Sequence, residues 1–388
     1  MNIKILGAGV GGLTTAIALT QSGFDVQIYE RRQRRSHIGA GIVCWPNASF
    51  VLKEFGMLED IKLRSGRPVR MRRLSKTGDD LGALDISKLD EKMGYSSLSI
   101  LRKDLMEVLE NHLNQYKVFV QYEKEVEQIV SGGSGTAMIH FKNGEIESAD
   151  MIIGADGRMS SVVRKFVNGD NEPIFQKFIN WIGVFESDIA VFPEIEVRDY
   201  WGVGDRFGIV PVSQNKAYWA GAVAASSIGD IKPSNYKEEL FSLFKNWPSP
   251  IQSIIQQTPL SKIHKVYVHD HNPIETWHRE NVLIIGDAAH ALLPTSGQGA
   301  CQAMEDAWHL TQLLKNNNRN LNLVFQEFTK RRFAKTTSIT MGARQFASSL
   351  FSTDKNASEM RNRNSKKTDY KAMVNGMAKG WSSGLPIA

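Results

Sequence analysis

The chain has 388 residues, 42% of them hydrophobic and 23% charged, enough for two or three domains with buried cores. This excludes a disordered, collagen-like or small disulfide-stapled polypeptide. Lys and Arg number 47 against 41 Asp and Glu, a net charge of +6 that favours anionic ligands mildly. The basic runs, Arg31-Arg32-Gln33-Arg34-Arg35 and Lys366-Lys367, are too short for the stripe of a nucleic-acid binder.

The two cysteines, Cys44 and Cys301, fit no paired metal-site spacing and read as buried thiols in a reducing compartment. The first apolar run is too short for a signal peptide, and no stretch approaches the length of a membrane span. A cytoplasmic protein without a metal site is the expectation, with oligomeric state open between monomer and homodimer.

In chain order, a short apolar strand over 3–6 meets Gly7. A helix over 13–22 carries Leu13, Ile17 and Leu19, and a second strand over 26–29 ends at Glu30. Helices are predicted over 48–60 and 102–115, with short strands and turns over 66–99 between them. Strands follow over 117–121, 125–130 and 137–141. Asn143-Gly144 is a hairpin turn, and Met151-Ile152-Ile153 a buried strand. Residues 172–270 read as mostly antiparallel sheet, interrupted by helix over 235–257. Val282-Leu283-Ile284-Ile285 is another buried strand, followed by helices over 299–315 and 321–348. The polar stretch 353–371 is expected to be loosely packed. The fold class is therefore α/β: a Rossmann-like nucleotide-binding domain (1–70, 101–171, 273–352) is interrupted by sheet strands (71–100) and a sheet domain (172–272), with a C-terminal tail or helix (353–388).

Gly7-Ala8-Gly9-Val10-Gly11-Gly12 joins the first strand to the first helix. Glycines Gly7, Gly9 and Gly12 let backbone approach a pyrophosphate, which meets the helix N–H groups. Glu30, eighteen residues after Gly12, is placed to hold a ribose hydroxyl and to repel a 2′-phosphate, so the nucleotide is FAD or NAD. No second GxGxxG and no CxxC occur, which argues against a disulfide-type flavin reductase.

Two further segments stand out: Gly154-Ala155-Asp156-Gly157-Arg158-Met159-Ser160-Ser161-Val162-Val163-Arg164, and Gly286-Asp287-Ala288-Ala289-His290 with Pro294 and Gly297-Gln298-Gly299. With the first fingerprint, in this order and separation, the chain resembles the class A flavoprotein aromatic hydroxylases, the para-hydroxybenzoate hydroxylase-like monooxygenases. The resemblance spans nearly the whole chain. It implies that all three segments serve one FAD, with NADH or NADPH as transient electron donor at the second. Asp287 would bind ribityl hydroxyls, Arg102 the ribityl and phosphate groups, and Gly297, Gln298, Gly299 and Ala300, following Pro294, the flavin pyrimidine. Arg31, the Gly39-Ala40-Gly41 segment and backbone near Val126 would line FAD. Asp156 would either touch cofactor through water or organise the helix carrying Arg164.

The family chemistry implied is hydroxylation of a small aromatic or heteroaromatic ring with molecular oxygen through a flavin C4a-hydroperoxide. Trp45-Pro46-Asn47, Asn180-Trp181 and Pro211-Val212-Ser213 carry a closer likeness to the flavin-dependent urate hydroxylases, and Arg206 and Tyr218 fall on that group's substrate arginine and tyrosine. His290, beside the expected flavin site, is a further catalytic candidate. Urate or a related purine is one alternative to the general aromatic reading, a polycyclic phenolic antibiotic another, and a flavin-binding sensor that has lost oxygenation a third.

Overall fold

A computed structural model describes residues 1–34, 40–132, 136–316 and 320–387. Gly39 and Arg35, named above, lie outside the described residues.

The strand–helix–strand unit at the N-terminus forms as its apolar pattern requires. Strand Asn2–Leu6 is buried on both faces, helix Val10–Gln21 packs against it, and strand Asp25–Tyr29 lies alongside in parallel. Together they enter a six-stranded sheet in the order His278–Arg279, Val282–Ile284, Met151–Gly154, Asn2–Leu6, Asp25–Tyr29, Val120–Gln121. All neighbours are parallel except the first pair. Continuous apolar runs suit this setting, because a parallel sheet is covered on both sides. The core below it contains Ile5, Ile28, Ile153, Leu283 and Met304, all fully buried.

Residues 66–99 diverge in part from the sequence pattern. Arg70–Ser75 and Asp80–Asp85 are strands, but Ile86–Met93 is a helix, capped by the Asp85 side chain on the Lys88 N–H and closed by Gly94 in the left-handed region. Its few apolar residues, Ile86, Leu89 and Met93, all point inward. The helix expected over 48–60 is two helices, Pro46–Glu54 and Leu58–Lys62, because Gly56 turns left-handed (φ 78°).

The second large sheet has seven strands in the order His264–Asp270, Ile174–Glu186, Lys216–Ala224, Asp205–Pro211, Glu196–Trp201, Arg70–Ser75, Asp80–Asp85. It is antiparallel except where Glu196–Trp201 runs parallel to Arg70–Ser75. One face buries Phe207, Ile209 and Trp219 against helices Tyr236–Phe244 and Ile251–Gln257. The other turns toward the nucleotide-type domain: a Cβ on Gly41 would lie 2.0 Å from the Tyr218 ring.

The stretch 353–371 is not loose. It contains helix Lys355–Lys366, and helix Tyr370–Ser382 follows; the carboxylates of Asp354 and Asp369 accept the N–H groups of Ala357 and Ala372. Polar composition hid the packing, since the buried positions of the first helix are Ser358, Arg361 and Ser365. Among the described residues no helix is long and apolar enough to cross a membrane.

Candidate active site: a flavin cleft beneath a polar sheet face

Four adjacent parallel strands end side by side. Their register aligns Leu6 with Gly154 and Tyr29, and Gly154 with Ile284. Gly7–Gly12, Glu30, Asp156 and Asp287 all follow those ends, so three segments far apart in sequence meet at the carboxyl edge, where open α/β sheets bind ligands. The packing there tolerates no side chain on two glycines. A Cβ on Gly12 would sit 1.9 Å from the Gly7 oxygen, and one on Gly7 (φ 108°) 2.3 Å from the Ala155 oxygen. At Gly9 and Gly299, by contrast, a Cβ meets nothing within 4 Å. Each of these glycines stands at a helix N-terminus, where unpaired N–H groups and the helix dipole favour an anion.

Glu30 is buried; its carboxylate accepts the Ala8 N–H (3.1 Å) and the Arg32 N–H (3.1 Å), which fixes it beside the glycine turn. Val126 opens a strand whose preceding residues bond the same place: Lys124 N–H to the Glu30 carbonyl and Glu123 N–H to that of Arg32, both 3.0 Å. Arg31 donates to the Ser160 hydroxyl at 2.5 Å, joining the first motif to the second. Arg158 lies 3.7 Å from the Asp287 carboxylate, joining the second to the third. Arg102 opens helix Arg102–Gln115; burial pushes its guanidinium pKa down, Asp287 pulls it up, and Arg32 and Arg158 push it down again. Among the described residues the Arg102 side chain makes no hydrogen bond. Arg102 and Arg158 beside the Asp287 carboxylate, with open helix N-termini at Gly9 and Gly299, match a diphosphate, and the residues present fit FAD.

Asp156 takes the organising position. It accepts the Ser161 hydroxyl (2.5 Å) and the Val163 N–H (3.2 Å) at the start of helix Val162–Asn168. Burial pushes its pKa up to about 6 against those bonds. Arg164, from that helix, donates to the Ala288 carbonyl (2.9 Å), behind Asp287.

Above this edge lies the sheet face. Arg206 pairs with Ala222, Gly208 with Ala220 and Val210 with Tyr218. Side chains alternate along a strand, so all six share one face, the one Tyr218 presses against Gly41. Arg206 and Tyr218 thus share the face turned toward the nucleotide-type domain, four residues apart in register. Between them, Gly208, Ala220 and Ala222 leave a low floor. Arg206 pairs with neither Asp205 nor Glu196: its Nε donates to the buried Asp199 at 2.6 Å, leaving the two Nη atoms for other partners. Burial pushes the Tyr218 phenol well above its ordinary value, so it stays protonated, a donor.

A family model described as FAD binding domain matches residues 1–320. Aurachin C monooxygenase/isomerase from Stigmatella aurantiaca is 31% identical over 319 residues, covering 81% of this chain and 80% of that protein. The FAD-dependent urate hydroxylase of Mycolicibacterium vanbaalenii is 30% identical over 353 residues, 89% of this chain and 87% of that one. The chain belongs to the class A FAD-dependent monooxygenases. Crystal structures of Klebsiella pneumoniae HpxO agree: the complex with FAD and uric acid superposes on this monooxygenase with a TM-score of 0.90 at 27% identity, covering 99% of this chain and 97% of that one. The fold and the FAD are those that the motifs implied.

Sequence reasoning missed a buried, heavily bonded cluster of the monooxygenase. Arg332, fully buried, donates to Asp306 (2.7 Å), Glu305 (2.6 Å) and the Gln302 side chain (2.7 Å). Glu305 also accepts Asn47 (2.6 Å), Gln302 and Lys335. Asn47 and Gln302 both donate to the Gln298 side chain, so the cluster supports the Gly297–Gly299 turn, while Pro294 and Gly297 themselves stay exposed and Ala300 half-buried. Gln298 is fully buried and its Nε2 has no partner among the described residues. The signal lay in helix Leu321–Leu350, where Arg332, Thr336 and Thr340 make a polar stripe at helical spacing on a buried face.

His290, the further catalytic candidate, is placed in this cluster: its Nε2 is 2.6 Å from Asp306, its ring leans on Trp277, and it is 7% exposed. With Nε2 held by that carboxylate, its Nδ1 is the ring nitrogen left without a partner among the described residues. Nearby His309 has both ring nitrogens unpartnered among the described residues, and burial, with Arg332 beside it, pushes its pKa down to about 3. The folded state therefore holds His309 neutral while the unfolded chain protonates it near pH 6.5, so stability falls as pH drops from about 6.5 toward about 3. His309→Phe is expected to flatten the slope of unfolding free energy against pH in that window, measured by urea denaturation.

Proposed function

We propose that this monooxygenase hydroxylates a small, planar, electron-rich azaheterocycle of the urate type, using NADH or NADPH as reductant. The observation that carries the reading is the polar pair Arg206 and Tyr218 flanking the Gly208–Ala220–Ala222 floor, opposite the strand-end cleft. The likeness to urate hydroxylases over 89% of the chain, and to the HpxO complex with uric acid, supports the same class. A polycyclic phenol has less in its favour, since the solved tetracycline destructase is 18% identical and shares the fold alone.

Bound FAD supplies hydride acceptance and oxygen activation; the protein supplies position, dryness and charge. Gly7, Gly9 and Gly12 with Arg102 would hold the diphosphate, Glu30 the ribose, and Asp287 the ribityl chain. Gly297, Gln298, Gly299 and Ala300 would meet the pyrimidine with the N-terminus of helix Gly299–Asn316, which favours negative charge on the reduced ring. Arg206, oriented by Asp199, directs its two Nη atoms at a ring carbonyl or deprotonated nitrogen. This stabilises the substrate anion, the more nucleophilic form. Tyr218, kept protonated, donates to a second ring heteroatom. Glu30 addresses the FAD ribose, so donor preference is set elsewhere.

The test is a panel of urate, a hydroxypyridine carboxylate and a polycyclic phenol, each scored for stimulated NADH and NADPH oxidation. Urate is expected to accelerate donor oxidation most. Stimulation by the polycyclic phenol alone would reject the reading. Ala220→Phe, which fills the floor, is expected to raise the KM for the heterocycle at least about tenfold while leaving FAD affinity unchanged, measured by steady-state kinetics and flavin titration.

A further inference from the structure

Two independent contacts run from the last turn of helix Tyr370–Ser382 to the Gly297–Gly299 turn. The first is aromatic. The Trp381 ring packs on Trp45 with centroids 5.1 Å apart, and the Trp45 indole N–H donates to the Gly297 carbonyl at 3.0 Å. Gly297 is left-handed (φ 63°), and a Cβ there would come within 3.1 Å of the Trp45 nitrogen, so the indole seats the turn closely. The second is ionic. Lys335 donates to the Trp381 and Ser383 carbonyls (2.7 and 2.9 Å), the free acceptors at that helix's C-terminus. It also binds both oxygens of Glu305 (3.0 and 2.8 Å). Glu305 in turn holds Asn47 and Gln302, which hold Gln298. The same helix end thus reaches the carbonyl of one turn residue and the side chain of the next.

The other end of this helix is tied elsewhere. The Tyr370 hydroxyl lies 2.8 Å from that of Ser365 and 3.2 Å from the Leu81 carbonyl on the sheet domain. Lys335, Ser365, Tyr370 and Trp381 lie past the 1–320 segment that the family model matches.

We infer that Trp381 and Lys335 are positioning residues that set the geometry of the Gly297–Gly299 turn against the flavin, acting through Trp45 and Glu305. The inference rests on the placement of the flavin at that turn. Two routes converge on one turn, whose own bonds are local ones, Gly297 N–H to the Pro294 carbonyl and Gln298 N–H to the Ser296 hydroxyl, both 3.1 Å. Flavin affinity and electronic environment are therefore coupled to the C-terminal helix.

The experiment measures FAD dissociation constant, visible flavin absorption and melting temperature on full-length holoenzyme variants. Trp381→Ala is expected to weaken FAD about tenfold and to shift the visible band, because the Gly297 carbonyl and the N–H groups beyond it move. Trp381→Phe keeps a ring against Trp45 and should restore both. Lys335→Met tests the ionic route and should shift the band as well. Tyr370→Phe loosens the far end and should lower the melting temperature with affinity and spectrum unchanged. The inference is overturned if Trp381→Ala and Lys335→Met melt early yet bind FAD with native affinity and spectrum, as Tyr370→Phe does. Gly299→Val separates the underlying reading: the added side chain projects into the open space at that helix start, and native FAD binding by this variant would remove the flavin from the turn altogether.

Discussion

Arg332→Gln is expected to destabilise the protein by about 3–5 kcal/mol. Arg332, Glu305 and Asp306 are all fully buried, and the guanidinium bonds both carboxylates. Removing it leaves Asp306 with His290, and Glu305 with Lys335, in a site without solvent. The pH dependence carries the same signature. Burial alone would raise Asp306, but His290 and Arg332 together hold it below the ordinary carboxylate value. A depressed folded-state pKa gives stability that is present above the unfolded value near 3.8 and lost as pH falls below it. In the variant Asp306 loses one of the two groups that depress it, so this acid-side loss should shrink. Urea denaturation at several pH values reads both effects, and an unfolding free energy within about 1 kcal/mol of the parent would contradict the assignment.

Arg206→Gln is expected to act mainly on turnover. The buried Asp199 loses its cation but keeps the Trp201 indole N–H (2.8 Å), so melting temperature should fall modestly while FAD affinity stays near the parent. The two Nη atoms are the part assigned to the substrate anion, and their loss should lower kcat/KM by about 10²–10³. The pH profile separates roles: without the cation, the activity rise that accompanies substrate deprotonation should move to higher pH. Equal activity in parent and variant would show that Arg206 serves only Asp199. Asp199→Asn, which leaves the cation but frees its orientation, is the natural companion.

The cofactor side of the site was legible because its chemistry needs unusual local sequence. Glycines at strand-to-helix turns, an acid at a strand end and an arginine at a helix start are visible without tertiary knowledge, and the parallel register brings them together. The shared face of Arg206 and Tyr218 needed the strand register, which sets Arg206 opposite Ala222 and Val210 opposite Tyr218. What was not legible depends on partners distant in sequence. Asn47, Glu305, Asp306 and Arg332 each look like surface residues until helices Pro46–Glu54, Gly299–Asn316 and Leu321–Leu350 are packed. Helix Lys355–Lys366 misled for a related reason: it buries an arginine and two serines, whose bonds to the Gly202 and Leu81 carbonyls replace an apolar stripe. His290 sat in the right motif but was claimed by Asp306, a residue that sequence spacing does not mark.

The most direct measurement is turnover of urate under ¹⁸O₂ with NADH or NADPH, reading the product by mass spectrometry and peroxide in the same sample. The account predicts a product carrying one ¹⁸O atom, formed in near-equal amount to the donor consumed, with little peroxide. Donor consumption that yields only peroxide, with urate recovered unchanged, would contradict it.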